Sequence, residues 1–227
     1  MSDFRKFILA LALTFGLPWL FLIVIPAVKY QALTPTLYDK DRDGVEGIYP
    51  PQPINRQGQL VYASEGCVQC HTQMIRPPQL ALDAWRKGWG QDQEARPAAP
   101  IRSNTLLDYL GEPYAYLGVQ RNGPDLTNYG WRAPDRNTIH QKLYEPRSLL
   151  PWSNMPALRH LYIVRKAQGP DSERALKLIG KYAPKEGYEV IPTAEAEALV
   201  DYLLSLKKDY PIPGAGAAVA TAAPAKK

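Results

Sequence analysis

Glu65-Gly66-Cys67-Val68-Gln69-Cys70-His71 is the stretch that decides the reading of this chain. C-x-x-C-H is the attachment pattern of a c-type haem. Cys67 and Cys70 are expected to add across the haem vinyl groups as thioethers, and His71 to reach the iron as its proximal ligand. Both sulfurs and the imidazole must meet one edge and one face of a single porphyrin, which is why the spacing is so tight. The competing chemistries are weaker. A structural zinc site wants a second Cys/His pair, but the chain has no other cysteine, and His140 and His160 are remote in sequence. A thioredoxin-like dithiol wants a strand before it and a helix after it, and that pattern is missing. A disulfide between Cys67 and Cys70 would close too small a loop to stabilise much.

Upstream of the motif, Arg56 to Gly66 has a helical pattern, with Leu60, Val61, Tyr62 and Ala63 available for its buried side. Downstream, Pro77-Pro78 ends any helix. Residues 79–121 form a long insertion that carries Trp85, Trp89, Tyr109, Tyr114 and Tyr116 without regular periodicity. A loop of that length inside a compact domain has a role, either as a cover over cofactor and core or as a docking surface for a partner subunit. Gly123-Pro124-Asp125-Leu126 follows. A short helix is expected from about Asp135 to Tyr144, with Ile139 and Leu143 on one face and His140 as a partly buried, hydrogen-bonding side chain. Another is expected over Ser172 to Gly180. The last clear helix runs from Thr193 to about Lys208. Thr193 caps it, Glu195 and Glu197 suit its positive end, and Lys207 and Lys208 its negative end. Ala196, Leu199, Val200, Leu203 and Leu206 form its buried stripe. Residues 211–227 are Ala, Gly, Pro and Lys without an aromatic and are expected to be a disordered tail.

The sixth iron ligand follows from the three methionines. Met1 stands at the far end of the chain, across a membrane. Met74 lies too close behind His71 to be carried round to the opposite haem face. Met155, in Ser153-Asn154-Met155-Pro156, has ample chain and is the expected distal ligand. The rivals are His140 or His160, giving a bis-histidine haem, or a Met155 that only fills a gap in the core.

Phe7 to Val28 is apolar except for Thr14, Gly16 and two prolines, long enough as a helix to cross about 30 Å of hydrocarbon. A cleaved signal peptide has a shorter apolar region and a small-x-small site, so residues 1–30 are read as an uncleaved anchor. Arg5 and Lys6 precede the span and Lys29 alone follows closely, which puts the N-terminus in the cytoplasm and the bulk of the chain in the periplasm. Pro18, helped by Gly16, is expected to kink the helix. Trp19, at mid-depth, faces lipid or a larger membrane partner. The span holds no ionisable residue, so it offers no proton path of its own. The net charge of +5 comes mostly from the two ends. The middle is nearly neutral, which argues against a nucleic-acid binder. The 22 prolines point to a loop-rich soluble part with short helices. Residues 31–55 read as a Pro- and Asp-rich linker. Within it Asp39-Lys40-Asp41-Arg42-Asp43-Gly44 copies the first half of an EF-hand loop, but Pro50 occupies the place of the closing glutamate. A turn and a calcium loop both remain open there.

A helix before C-x-x-C-H, a later G-P-x-L, a later M-P and a closing helix resemble the small cytochromes c. In that class the proline of G-P offers its carbonyl to the proximal histidine, which implies Pro124 for His71. The likeness is closer still. Residues 65–77, Glu65-Gly66-Cys67-Val68-Gln69-Cys70-His71-Thr72-Gln73-Met74-Ile75-Arg76-Pro77, resemble E-G-C-x-x-C-H-[ST]-Q-x-x-R-P of the mono-haem cytochrome c subunit, subunit II, of the cbb-type (C-family) haem–copper oxidases. Arg121-Asn122-Gly123-Pro124-Asp125-Leu126 and Ser153-Asn154-Met155-Pro156 fit the same family. The Asp-rich stretch at 39–44 does not belong to its pattern.

The resemblance implies a mainly α protein: one N-terminal transmembrane helix and a loop-rich, all-α cytochrome c domain over 56–210 in the periplasm. It implies one covalent haem c, with Pro124, Arg76 and Asn154 supporting the ligands. Arg76 could serve as a propionate or partner contact, or as a surface ion pair. Electrons are expected to come from a cytochrome c donor or a partner haem subunit and pass to the polytopic catalytic subunit that reduces oxygen. The alternatives are a free-standing, membrane-anchored cytochrome c that shuttles electrons between respiratory or photosynthetic complexes, and an anchored thiol–disulfide module.

Overall fold

Gly58 sets the architecture around the motif. It lies on the helix Arg56–Ser64, which Asn55 caps by accepting the Gly58 N–H at 3.0 Å. A Cβ at position 58 would overlap the backbone carbonyl of Ala198 and come within 2.6 Å of Tyr202 Cβ. Only a glycine lets this helix cross so closely over the last helix, Ala194–Ser205. Across the crossing, the rings of Tyr62 and Tyr202 stand 5.4 Å apart and are fully buried.

The computed structural model describes residues 2–51, 55–86, 89, 102–167, 169, 172–208 and 210–214. The chain forms two compact units, Met1–Thr36 and Leu37–Lys227.

The first unit is a helix over Asp3–Gln31 with a mean hydropathy of 2.6 in its most apolar window. None of it is buried, and its apolar side chains, Trp19 included, cover all sides. A helix apolar all round suits a membrane span. The backbone widens into π-helical turns at Ala12–Gly16 and Leu20–Val24, each just ahead of a proline, Pro18 and Pro26. Proline has no N–H and crowds the carbonyl one turn back, and a π turn absorbs that misfit within the helix.

In the second unit the closing helix follows the sequence pattern. Thr193 Oγ1 accepts the Ala196 N–H at 3.2 Å. Ala196, Leu199, Val200, Leu203 and Leu206 are all buried, joined by Ala198 and Tyr202. The helix stops at Ser205, however, and Lys208 turns inward to pair with Glu112 and lie 4.8 Å over the Tyr109 ring. It therefore does not act as a charge at the helix end. Leu60 also departs from expectation: it is 58% exposed, because Gly58, Gln59, Val61 and Tyr62 take the inner face. Arg136–Tyr144 is helical with Asp135 as its cap, and Ile139 and Leu143 are buried.

The all-α expectation needs correction. Tyr162–Lys166 pairs antiparallel with Tyr188–Pro192, in the register Tyr162↔Pro192 and Val164↔Val190. Tyr, Ile and Val favour a pleated, half-buried surface. The helix expected over 172–180 is absent. Leu176 and Leu178 are buried while Ile179 is exposed, and the Leu176 N–H donates to the Val190 carbonyl at 2.9 Å. The segment turns instead, with the Ala175 N–H donating to the Ser172 carbonyl and the Leu178 N–H to the Leu176 carbonyl.

Residues 38–49 and the insertion pack together with the chain end. Asp39 caps the short turn Lys40–Asp43, and the Asp43 carboxylate accepts from Arg42 and from the N–H groups of Asp39 and Gly214. The Asp-rich stretch is thus a capped helical turn whose carboxylates serve its own backbone. Tyr49 is buried and donates to Asp108 at 2.9 Å. Asp108 in turn holds Arg102 through both oxygens at 2.5 and 2.7 Å, and Arg102 donates to the Tyr210 carbonyl. Of the insertion aromatics, Trp89 and Tyr109 are buried, Trp85 and Tyr116 pack against buried clusters, and Tyr114 is exposed. Residues 87, 88 and 90–101 of the insertion, and 215–227 of the expected tail, lie outside the described residues.

Candidate cofactor site

Gly66 ends the first helix in the left-handed region, at φ 67°, a conformation that glycine adopts without cost. The chain then tightens into the 3-10 turn Cys67–Gln69. The N–H groups of Cys70 and His71 both donate to the Cys67 carbonyl, at 3.1 and 2.9 Å. This turn gathers both sulfurs and the imidazole. Both cysteines are free thiols, partly buried. Burial, and then the negative charge of Glu65, push the Cys67 thiol up to about 12. A dithiol oxidoreductase needs the opposite, a thiol poised to ionise near neutral pH.

His71 Nδ1 lies 2.8 Å from the Pro124 carbonyl. A carbonyl can only accept, so Nδ1 carries the proton and Nε2 presents its lone pair. Burial pushes the imidazole pKa below its ordinary value, opposed only in part by the Pro124 bond. The ring is therefore neutral at pH 7, the form that binds a metal. Gly123 lies flat against it. A Cβ there would stand 2.7 and 2.8 Å from the two ring nitrogens. Gly118 makes a similarly close approach to the backbone of His71 and Thr72.

Met155 packs against the core cluster that Cys67, Val68, Tyr116 and Tyr144 also border. One bond ties its segment to the Arg136–Tyr144 helix and another to the motif. The Leu158 N–H donates to the Leu143 carbonyl at 2.9 Å, and His160 Nε2 meets Glu65 at 2.9 Å, joining the chain after Met155 to the chain before Cys67. The other histidines are engaged. His140 is buried, with Nδ1 at 3.1 Å from Tyr162 Oη and Nε2 at 3.3 Å from Glu197. His160 is exposed. Arg76 grips the buried Asp83 with Nε at 2.9 Å and Nη2 at 3.1 Å. Asn154 is exposed.

The surroundings include residues that the sequence did not single out. Arg132 donates to the Asp125 carbonyl, next to the Pro124–His71 bond, and lies 5.4 Å over the Tyr129 ring. Lys142, on the Arg136–Tyr144 helix, has its pKa lowered by burial and by Arg132. Both cations are felt at His71. Arg132 stands a fixed distance after the Gly-Pro turn, but only the folded chain shows it bonded to that turn. A c-type haem brings two carboxylates, so two cations beside a neutral imidazole, two thiols and a glycine-lined ring face suit it.

A family model described as cytochrome c oxidase, mono-haem subunit/FixO, matches residues 11–180, most of the chain. No curated protein matches it.

Proposed function

Because this chain belongs to the family of mono-haem subunits of cytochrome c oxidase, we propose that it is the membrane-anchored electron-transfer subunit that feeds the oxygen-reducing subunit of that enzyme. The family description names one haem, which supplies one-electron oxidation and reduction when bound. Cys67 and Cys70 would hold it as thioethers, and His71 Nε2 and the Met155 sulfur would ligate its iron. Pro124 fixes the imidazole plane and tautomer. Arg132 and Lys142 neutralise the propionates, while Asp83 keeps Arg76 from doing so. A thioether opposite the imidazole raises the potential relative to a second imidazole. The tyrosine-rich core and the insertion keep water from the ligands.

The Asp3–Gln31 helix anchors the subunit once, with its N-terminus in the cytoplasm and the haem domain in the periplasm. The partners are a polytopic haem–copper subunit, other cytochrome c subunits and a cytochrome c donor. The membrane helix, exposed Leu80, Leu82, Leu106, Tyr114 and Val119, and exposed Leu149, Leu150 and Trp152 are among the apolar surfaces available to them.

One observation carries this reading: the His71–Pro124 bond, with Gly123 against the ring, leaves one imidazole nitrogen free within the turn that carries Cys67 and Cys70. The test is purification in mild detergent followed by haem typing after denaturing extraction. Covalent haem in a stable complex with an oxygen-reducing membrane subunit is expected. A coloured monomer would instead favour the free-standing shuttle, and a colourless protein made with working haem-attachment machinery would end the haem reading.

A further inference from the structure

Asp125 has no role in the reading above, yet it is fully buried and follows directly on Pro124. Its Oδ2 accepts the Thr72 hydroxyl at 2.6 Å and the Met74 N–H at 2.9 Å, and its Oδ1 accepts the Thr127 N–H at 2.9 Å. All of these partners donate. Three donors arranged around both oxygens are the complement that a carboxylate, an acceptor only, makes. The bonds grip both chain segments that meet at the His71–Pro124 contact: Thr72 and Met74 just after the histidine, and Asp125 just after the proline.

The compensating charge is Arg121. Its Nη2 stands 3.6 Å from Asp125 Oδ2, its Nε donates to Thr72 Oγ1 at 2.7 Å and its Nη2 to the Met74 carbonyl at 2.7 Å. Its Nη1 reaches Asp83 at 2.8 Å, and Asp83 also holds Arg76. Two buried acids, the mostly buried Arg121 and the more exposed Arg76 thus form a balanced cluster next to the chain that follows His71. Asp125 is the member bonded in sequence to the histidine's acceptor.

We propose that Asp125, opposed by Arg121, is the positioning residue that sets the redox potential of the haem held by His71. This rests on the haem reading above. A fixed negative charge in a site of low dielectric favours the more positive, oxidised state and lowers the potential, and a fixed positive charge raises it.

The test is potentiometric titration of the full-length, haem-loaded chain in detergent, for the natural protein, Asp125→Asn and Arg121→Gln, with urea unfolding of each alongside. Asparagine keeps one oxygen for Thr72 and Met74 and removes the charge. The potential should rise in Asp125→Asn by about tenfold in the one-electron equilibrium, about 59 mV, and fall in Arg121→Gln. A purely structural role would move both variants the same way, in step with their loss of stability. That result, or two unmoved potentials, overturns the proposal. If Asp125→Asn does not accumulate, Arg121→Lys replaces it: a fall in Arg121→Gln that Arg121→Lys, which keeps the charge but not the planar fork, does not share supports the proposal, and an equal fall in both overturns it. A natural protein without covalent haem overturns the haem reading and this inference with it, whereas a coloured protein with unmoved variants overturns only the inference.

Discussion

Replacing Gly58 by alanine pits two effects of known size against each other. Alanine gains about 1 kcal/mol over glycine inside a helix. Against this, its Cβ would overlap the Ala198 carbonyl and stand 2.6 Å from Tyr202 Cβ. Neither is the free end of a flexible chain, so the two helices must separate. Fully burying a large side chain is worth about 1.5–3 kcal/mol, and a gap of about 0.5–1 Å forfeits a quarter to a half of each contact. Tyr62 and Tyr202, both fully buried at the crossing, would bear most of that loss, and forced overpacking adds about 1–3 kcal/mol. The clash outweighs the helix gain, leaving a net destabilisation of about 1–3 kcal/mol. For a domain of this size that lowers Tm by roughly 2–12 °C. Urea and thermal unfolding of the detergent-solubilised chain, followed by circular dichroism, measures it. A Gly58→Ala protein as stable as the natural one, or more so, would refute the close crossing, because helix propensity alone predicts a gain.

Gly123→Ala should press on the His71 ring and weaken its bond to Pro124, costing about 1–3 kcal/mol; reduced haem retention with unchanged secondary structure is the expected readout, and full retention would count against the site. Met155→His should lower the haem potential markedly, and an unchanged potential would sink Met155 as the distal ligand. Burial raises the Asp83 pKa, but the Arg76 and Arg121 contacts outweigh it and hold the carboxyl below its ordinary range. Its stabilisation is therefore present above about pH 4 and lost as pH falls through the depressed value. Asp83→Asn should destabilise the protein by about 1–3 kcal/mol at pH 7, since it takes a buried carboxylate from Arg76 and from Arg121, although Arg76 reaches water and Arg121 keeps Asp125. It should also flatten the acid limb of the stability–pH curve, and a natural-looking acid limb in that variant would contradict the pairing.

Covalent and local constraints were legible in the residues alone. The turn that C-x-x-C-H makes can be read directly, because its spacing alone sets how close the two cysteines and the histidine fall along the chain. The apolar run to Val28, the Thr193 cap and the 3.6-residue stripe through Leu206 were equally plain, since each depends on neighbours within a few positions. The strand pair at 162–166 and 188–192 was not legible, because short apolar runs suit either period until a partner strand satisfies their backbone. Lys208 looked like a helix-end cation, and Arg76 a candidate for the haem edge or an exposed pair. Glu112, remote in sequence, claims Lys208 instead, and Arg76 is found in an ion pair, with Asp83, a partner the sequence did not point out. Gly58 and Asp125 acquire their meaning only from what lies across the fold: another helix's carbonyl in one case, and in the other the chain on both sides of the proximal bond. Backbone signals and covalent motifs are short-ranged, so the amino-acid order alone determined them. Close approach and charge pairing join residues far apart along the chain, so only the tertiary structure could decide them.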